Sequence, residues 1–242
     1  MHKREWIAKI GEEFKINIGG EKTFRMDAFM GEGGSCLTYK VTVVDGADAG
    51  VTLILKEFYP EADSYIAKRG ENRELIFAER TLKDEGFQRL QRHFREGYER
   101  LLEFTSDGDT VNYNVKPAGI AMYPDGRGYS LVHWDNGMTL DRCSRLLDIL
   151  ESLIKTAEIM ERIHEKEYFH LDLKPSNILW LPDVKNVLMF DLDTVSDKND
   201  IKDLNCPVRK SENNAYNAPE LINAVKENSM DKRNRIGAWI DI

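Results

Sequence analysis

Residues 1–20 form an amphipathic lead-in that ends in Gly19-Gly20, and from Phe24 the pattern turns extended. Leu37 to Val44 reads as a strand, Asp45 to Gly50 as a polar turn, and Val51 to Phe58 as a second strand, β-branched and apolar except for Lys56 and Glu57. Residues 60–86 are charged, lack a strand pattern and read as an insertion. Gly86 to Phe104 then takes the helical period, with Phe87, Leu90, Phe94, Tyr98, Leu101 and Leu102 on one stripe. Asn114 to Met122 and Gly128 to His133 predict two strands joined by the turn Tyr123-Pro124-Asp125-Gly126-Arg127. Leu140 to Glu167 predicts a long amphipathic helix region whose core stripe is Leu146, Leu150, Leu153, Ala157, Met160 and His164. Two short apolar strands follow, Ile178 to Leu181 and Val187 to Phe190. Residues 191–220 are polar and mostly without pattern.

Composition narrows the class without naming it. The chain has 242 residues, 41% hydrophobic and 31% charged, which suits a soluble globular protein with one large domain or two lobes. The net charge of −8 argues against nucleic-acid partners, which need a basic footprint. Three widely spaced cysteines, Cys36, Cys143 and Cys206, form no zinc-ligand spacing and read as reduced thiols of a cytoplasmic protein. No apolar run approaches a signal-peptide core or a membrane span.

Four places carry chemistry. Met30-Gly31-Glu32-Gly33-Gly34-Ser35-Cys36 sets three glycines within four positions, which lets a backbone approach a ligand and points N–H groups at phosphate oxygens. Lys56 interrupts a buried run, so it either snorkels or meets an anion. Tyr168 to Leu179 holds His170, Asp172, Lys174 and Asn177: an acceptor, a cation and an amide spaced to surround one phosphate. Asp191, at the mouth of a short strand, offers with Asn177 a pair of hard oxygen donors for magnesium.

The order of these motifs resembles that of the eukaryotic-like protein kinases, serine/threonine type, over roughly residues 24–242. Asp191-Leu192-Asp193 resembles the family's Asp-Phe-Gly, and Ala218-Pro219-Glu220 its Ala-Pro-Glu. The resemblance implies an α+β, bilobal protein-kinase-like fold: an antiparallel N-lobe sheet with one main helix, then a mostly helical, incomplete C-lobe. The domains it implies are a lead-in at 1–23, an N-lobe at 24–134 and a truncated C-lobe at 135–242, with further domains beyond residue 242.

It also implies ATP and Mg²⁺ as cofactors and phosphoryl transfer to Ser/Thr hydroxyls of a protein substrate. Gly31, Glu32, Gly33, Gly34 and Ser35 would cover the phosphates, and Lys56, held by Glu99 or else Glu96, would anchor them. Glu99 is preferred because it sits at the flank of the apolar stripe, whereas Glu96 faces solvent. Asp172 would accept the hydroxyl proton, Lys174 would neutralise the transferred group, and Asn177 with Asp191 would hold the metal. Trp134 to Gly137 would be the hinge, with Val132 or His133 at the back of the pocket.

The sequence departs from the family at several points. Cys36 replaces the third glycine and Leu171 the arginine that precedes the aspartate. Asp193 replaces a glycine, and Asn213 stands where the family usually has threonine. Leu171 cannot pair with a phosphate, which speaks against control through that arginine. These departures keep two other readings open: a pseudokinase or nucleotide-binding scaffold, and a small-molecule kinase. Asp241 resembles the residue that braces the catalytic loop.

Overall fold

The structure, a computed structural model, describes residues 4–60, 65, 67–106, 116–191 and 195–197, without the side chains of 104–106. The chain divides into two compact units. The first holds the residues up to Glu99 together with Lys116–Trp134, and the second holds those from Asp135 onward with the helix end from Arg100.

The first unit is built on an antiparallel six-stranded sheet. Its strands are β1 (Glu13–Asn17), β2 (Glu21–Glu32), β3 (Cys36–Val43), β4 (Thr52–Phe58), β7 (Pro117–Met122) and β8 (Gly128–His133), in the order β1-β2-β3-β4-β8-β7. Between β4 and β7 lie a short hairpin, β5 (Ala67–Arg69) and β6 (Leu75–Phe77), a one-turn helix α1 (Glu79–Leu82), and the long helix α2 (Glu85–Ser106). The lead-in therefore belongs to the sheet: β1 alternates exposed and buried residues and pairs with β2 from Glu13↔Arg25 to Asn17↔Glu21. The stretch read as an unpatterned insertion also contains strands, each three residues long.

Strand alternation gives the sheet two different faces. One carries Leu37, Tyr39, Val41, Leu53, Leu55, Leu131 and Tyr129 into the main core. Glu57 lies in that same set, fully buried. The other face carries Thr38, Lys56 and Ser130 in one cross-strand row and Lys40, Ile54 and Val132 in the next. At the Phe58 end of that second face, α2 packs through Phe87 and Phe94, with ring centroids 5.5 and 5.6 Å from Phe58.

The second unit contains β9 (Met138–Thr139), a 3₁₀ turn at Leu140–Arg142, the helix α3 (Leu146–Glu165) and β10 (Tyr168–Phe169). The ribbon β11 (Ile178–Leu181) and β12 (Asn186–Met189) follows, and then β13 (Ser196–Asp197). Its core joins Ile159, Met160 and Ile163 of α3 to Ile178, Trp180, Val187 and Met189 of the ribbon.

The buried face of α3 differs from the stripe the sequence suggests. Ser152, Thr156, Ile159, Met160 and Ile163 are buried, whereas Leu146, Leu150 and Leu153 are 70%, 48% and 48% exposed. The reason is local chemistry. The Ser152 hydroxyl donates to the Ile149 carbonyl and the Thr156 hydroxyl to the Ser152 carbonyl, both at 2.8 Å. Each hydroxyl is thereby satisfied on its own helix, and two small polar side chains face inward without an unmet hydrogen bond. Among the described residues, no helix is long and apolar enough to cross a membrane.

Candidate active site

The glycine-rich turn closes the β2–β3 hairpin. Gly31 sits at a register shift in the pairing, with φ +156° and open space where a Cβ would be, so its backbone rather than crowding favours glycine. The Gly33 N–H donates to the Cys36 carbonyl at 2.9 Å. That amide is thus spent on the turn, contrary to the expectation that all three glycines offer theirs. Among the described residues, the Gly34 and Ser35 amides take no backbone acceptor. They remain available to a phosphate.

Two contacts fix this turn to the end of β4. The Tyr59 N–H donates to the Ser35 carbonyl at 2.9 Å. Arg4, a residue that motif reading passed over, is buried and donates to the Gly33 carbonyl at 2.8 Å and to the Tyr59 carbonyl at 2.7 Å. The same guanidinium lies 3.5 Å from the Glu32 carboxylate.

Lys56 is half-buried, between Thr38 and Ser130 on the more polar sheet face. Its strand neighbour Glu57 points the other way into a buried cluster. Arg69 grips the Glu57 carboxylate with both nitrogens, at 2.5 and 2.7 Å, and the Tyr39 hydroxyl donates to it at 3.0 Å. Burial works against the charge on Arg69, but the hydrogen bonds and charge of Glu57 outweigh it and raise its pKa. Burial first, and the Glu57 charge second, push the phenols of Tyr39 and Tyr129 well above their ordinary range.

The helix α2 places Glu99, the preferred partner of Lys56, on an exposed face. Glu99 is 58% exposed and its carboxylate lies 3.5 Å from Arg95, one turn earlier. Glu96 is half-buried beside His93, at 3.6 Å. The preference counted Leu102 in the buried stripe, but Leu102 is exposed and Gly97 is buried. The inward face, Phe87, Phe94, Gly97, Tyr98 and Leu101, carries no carboxylate.

In the second unit the loop after β10 gathers the predicted catalytic groups. The Lys174 ammonium donates to Asp172 Oδ2 at 2.6 Å. The Asn177 amide donates to the same oxygen at 3.3 Å and to the Asp172 carbonyl at 2.9 Å. Both donors converge on Oδ2, which leaves Oδ1 to accept a further proton or hydroxyl. Asn177 spends its NH₂ group on Asp172, so Oδ1 is its end open to a metal.

The ribbon brings Asp191 to the same place. Ile178 pairs with Met189, and one step further the Phe190 N–H donates to the Asn177 carbonyl at 3.2 Å. Asn177 and Asp191 therefore flank one end of the ribbon. An amide oxygen and a carboxylate fit a hard cation such as Mg²⁺. Among the described residues, no group of three or more His, Cys, Asp or Glu side chains could hold a metal by itself. Nucleotide phosphates and water would complete such a site.

Leu171 and Asp191 both take left-handed backbone, at φ +61° and +66°. Leu171 is buried, between buried His170 and Asp172. Leu192, Asp193, Asn213, Ala218, Pro219, Glu220 and Asp241 lie outside the described residues.

No protein-family model matches the chain, and no curated protein matches it. Solved structures do. PpkA-294 in its apo form aligns over 90% of this chain and 70% of its own, with a TM-score of 0.56 and 18% identity. The kinase domain of PF14_0431 aligns over 98% of this chain and 64% of its own, with a TM-score of 0.62 and 14% identity. The chain thus spans about two thirds of the length of the kinase structures it matches. An antiparallel sheet with one main helix, followed by a unit with a long helix and a two-stranded ribbon, is an α+β architecture of protein-kinase type: this chain has a protein-kinase-like fold.

Proposed function

We propose that this chain is an ATP-dependent protein kinase that transfers the γ-phosphoryl group to serine or threonine hydroxyls of a protein substrate. The observation that carries the reading is the cluster Asp172, Lys174 and Asn177, with Asp191 at the adjoining ribbon end. A phosphoryl-transfer enzyme needs an oriented base, a cation near the migrating group and hard oxygen ligands for metal, and these four residues supply that set.

In the proposed reaction the substrate hydroxyl oxygen attacks the γ-phosphorus. The bond from that phosphorus to the β–γ bridging oxygen breaks, and ADP leaves with its electron pair. Asp172 Oδ1 takes the hydroxyl proton. Lys174, whose ammonium already neutralises Oδ2, supplies positive charge beside the transferred group. Asn177 and Asp191 would hold Mg²⁺, which neutralises phosphate charge when bound. Lys56 would anchor the α and β phosphates, and the Gly34 and Ser35 amides would cover them. None of these roles depends on Glu99.

The test is transfer of radiolabel from [γ-³²P]ATP to generic protein substrates by the full chain and by Asp172→Asn. Loss of label in the variant, with nucleotide binding retained, supports the kinase. Equal label in both proteins sinks it. ATP binding without transfer supports the nucleotide-binding scaffold. Transfer to sugars or aminoglycosides in place of protein identifies a small-molecule kinase.

A further inference from the structure

We propose that Arg4 is a positioning residue that clamps the glycine-rich hairpin to the strand carrying Lys56, and so sets the affinity for the nucleotide phosphates; the nucleotide half of this proposal rests on the kinase reading. Arg4 spans two segments far apart in sequence. One arm of its guanidinium holds the Gly33 carbonyl in the turn, and the other holds the Tyr59 carbonyl, three residues beyond Lys56. Its side chain is 7% exposed. Removing it would strand two carbonyls with little water to replace the lost donors.

The clamp has a fixed base. In the strap that follows Arg4, the Glu5 carbonyl accepts from Arg69 at 2.7 Å, and the Ile7 N–H donates to the Tyr39 hydroxyl at 3.3 Å. Ile7 and Ala8 are buried in the core. Trp6 stacks on Phe29 of β2 with ring centroids 4.6 Å apart. The strap is thereby anchored to the apolar side of the sheet, and Arg4 reaches from it to the turn.

The turn itself has few restraints of its own. Gly34 is exposed at its tip, and the Gly33–Cys36 and Tyr59–Ser35 backbone bonds and the Arg4–Glu32 ion pair are among the ties that hold it. A glycine-rich turn loses more conformational freedom on ordering than other sequences, so an external clamp on Gly33 lowers what nucleotide binding must spend to order it.

Hydrogen exchange of the full chain, compared with Arg4→Ala, Arg4→Lys and Trp6→Ala, tests the clamp without any need for activity. Arg4→Ala should speed exchange of the 31–36 peptide at least about tenfold while the middle of β3 and β4 stays within about twofold. Arg4→Lys, with one donor group in place of a fork, should fall between. Trp6→Ala, which loosens the base of the clamp but leaves both guanidinium bonds in place, should speed hairpin exchange less than Arg4→Ala does.

Unchanged hairpin exchange in Arg4→Ala overturns the proposal. So does a uniform rise across the whole sheet, which would mark Arg4 as a general stabiliser. The second readout is kinetic: Arg4→Ala should raise KM for ATP at least about fivefold with kcat within about twofold, since the clamp acts on ground-state and transition-state binding alike. An equal fall in kcat at constant KM overturns that part. If wild type and Lys56→Met both fail to bind ATP, the kinase reading fails, and the exchange comparison still decides the clamp.

Discussion

Arg69→Met should be among the most damaging changes in the first unit, because it leaves the Glu57 carboxyl group buried without its cation. Glu57 is fully buried and the Arg69 side chain is 7% exposed. Two charge-assisted hydrogen bonds join them, at 2.5 and 2.7 Å. At about 1.5–3 kcal/mol each they account for roughly 3–6 kcal/mol. Measured losses on removing one partner of a buried pair are about 3–5 kcal/mol, which agrees. In a chain of this size that shifts Tm by about 6–20 °C.

The companion variant is the double change Glu57→Leu/Arg69→Met, which removes the charge along with its partner. It should recover to within about 1.5 kcal/mol of wild type, since replacing a whole buried pair by apolar side chains is often nearly neutral. Urea unfolding followed by tryptophan fluorescence gives both numbers, and the two singles with the double complete a cycle. A single-variant loss under about 1 kcal/mol would refute the reasoning, because a buried carboxylate without its cation cannot be that cheap. A double variant as unstable as the single would refute it equally, by placing the damage in lost packing and not in stranded charge.

Three further outcomes follow from the same geometry. Glu99→Gln should leave phosphoryl transfer within about twofold and stability within about 0.5 kcal/mol, as befits an exposed pair one helix turn apart; a tenfold fall in kcat/KM would restore Glu99 as the partner of Lys56. Alkaline pH should destabilise the fold. Unfolded phenols ionise near pH 10, while burial and the Glu57 charge keep Tyr39 and Tyr129 protonated in the folded chain. The unfolded state then binds fewer protons and stability falls as pH rises, by about 1.4 kcal/mol per tyrosine at pH 11. Tyr129→Phe should remove its own share, about 1.4 kcal/mol, of the fall between pH 9 and 11 in chemical denaturation, and identical pH dependence in both proteins would refute it. Glu167 lies just past the end of α3 at φ +59°, and its N–H donates to the His164 carbonyl. Glu167→Gly keeps that bond and relieves the left-handed strain, so it should raise stability by about 0.5–1 kcal/mol in thermal unfolding, and a loss would refute it.

The strands around the site were legible because their side-chain period is two and their ends are marked by turn residues. Cys36–Val43 follows that logic, while Gly128–His133 and Ile178–Leu181 showed as short apolar runs between turns. Glu13–Asn17 carries the same signal in five residues before Gly19-Gly20, too short to stand out from an amphipathic lead-in. The helix faces misled for a different reason. A count of apolar residues cannot see that Ser152 and Thr156 satisfy their hydroxyls locally, nor that Gly97 marks the packed side of α2 while Leu102 faces water. Asp172, Lys174 and Asn177 were legible because they fall within one short loop. Arg4 and Arg69 were not, because their partners lie 29 and 12 residues away and only the folded sheet brings them together.

The two units hold their functional groups by different means. In the second unit the backbone itself carries the constraint. Leu171 takes φ +61° and Asp191 φ +66°, each at a cost of about 1–3 kcal/mol for a residue with a side chain. Such strain persists where the surroundings over-determine it. Here the pairing of Tyr168–Phe169 with Ser196–Asp197 fixes the chain before Leu171, and the Asn177 amide fixes the Asp172 carbonyl after it. The β11–β12 register fixes the approach to Asp191. With both neighbours fixed, Asp172 has little freedom to reorient, and Lys174 and Asn177 then set its carboxylate. That is pre-organisation of the kind phosphoryl transfer depends on, where positioning and electrostatics carry most of the rate. In the first unit the glycine-rich turn has no such backbone lock, since glycine removes it. The restraint there comes from a side chain outside the turn. A residue like Arg4 is therefore the expected complement to a glycine-rich turn, for the same reason that Leu171 needs no counterpart in the loop after β10.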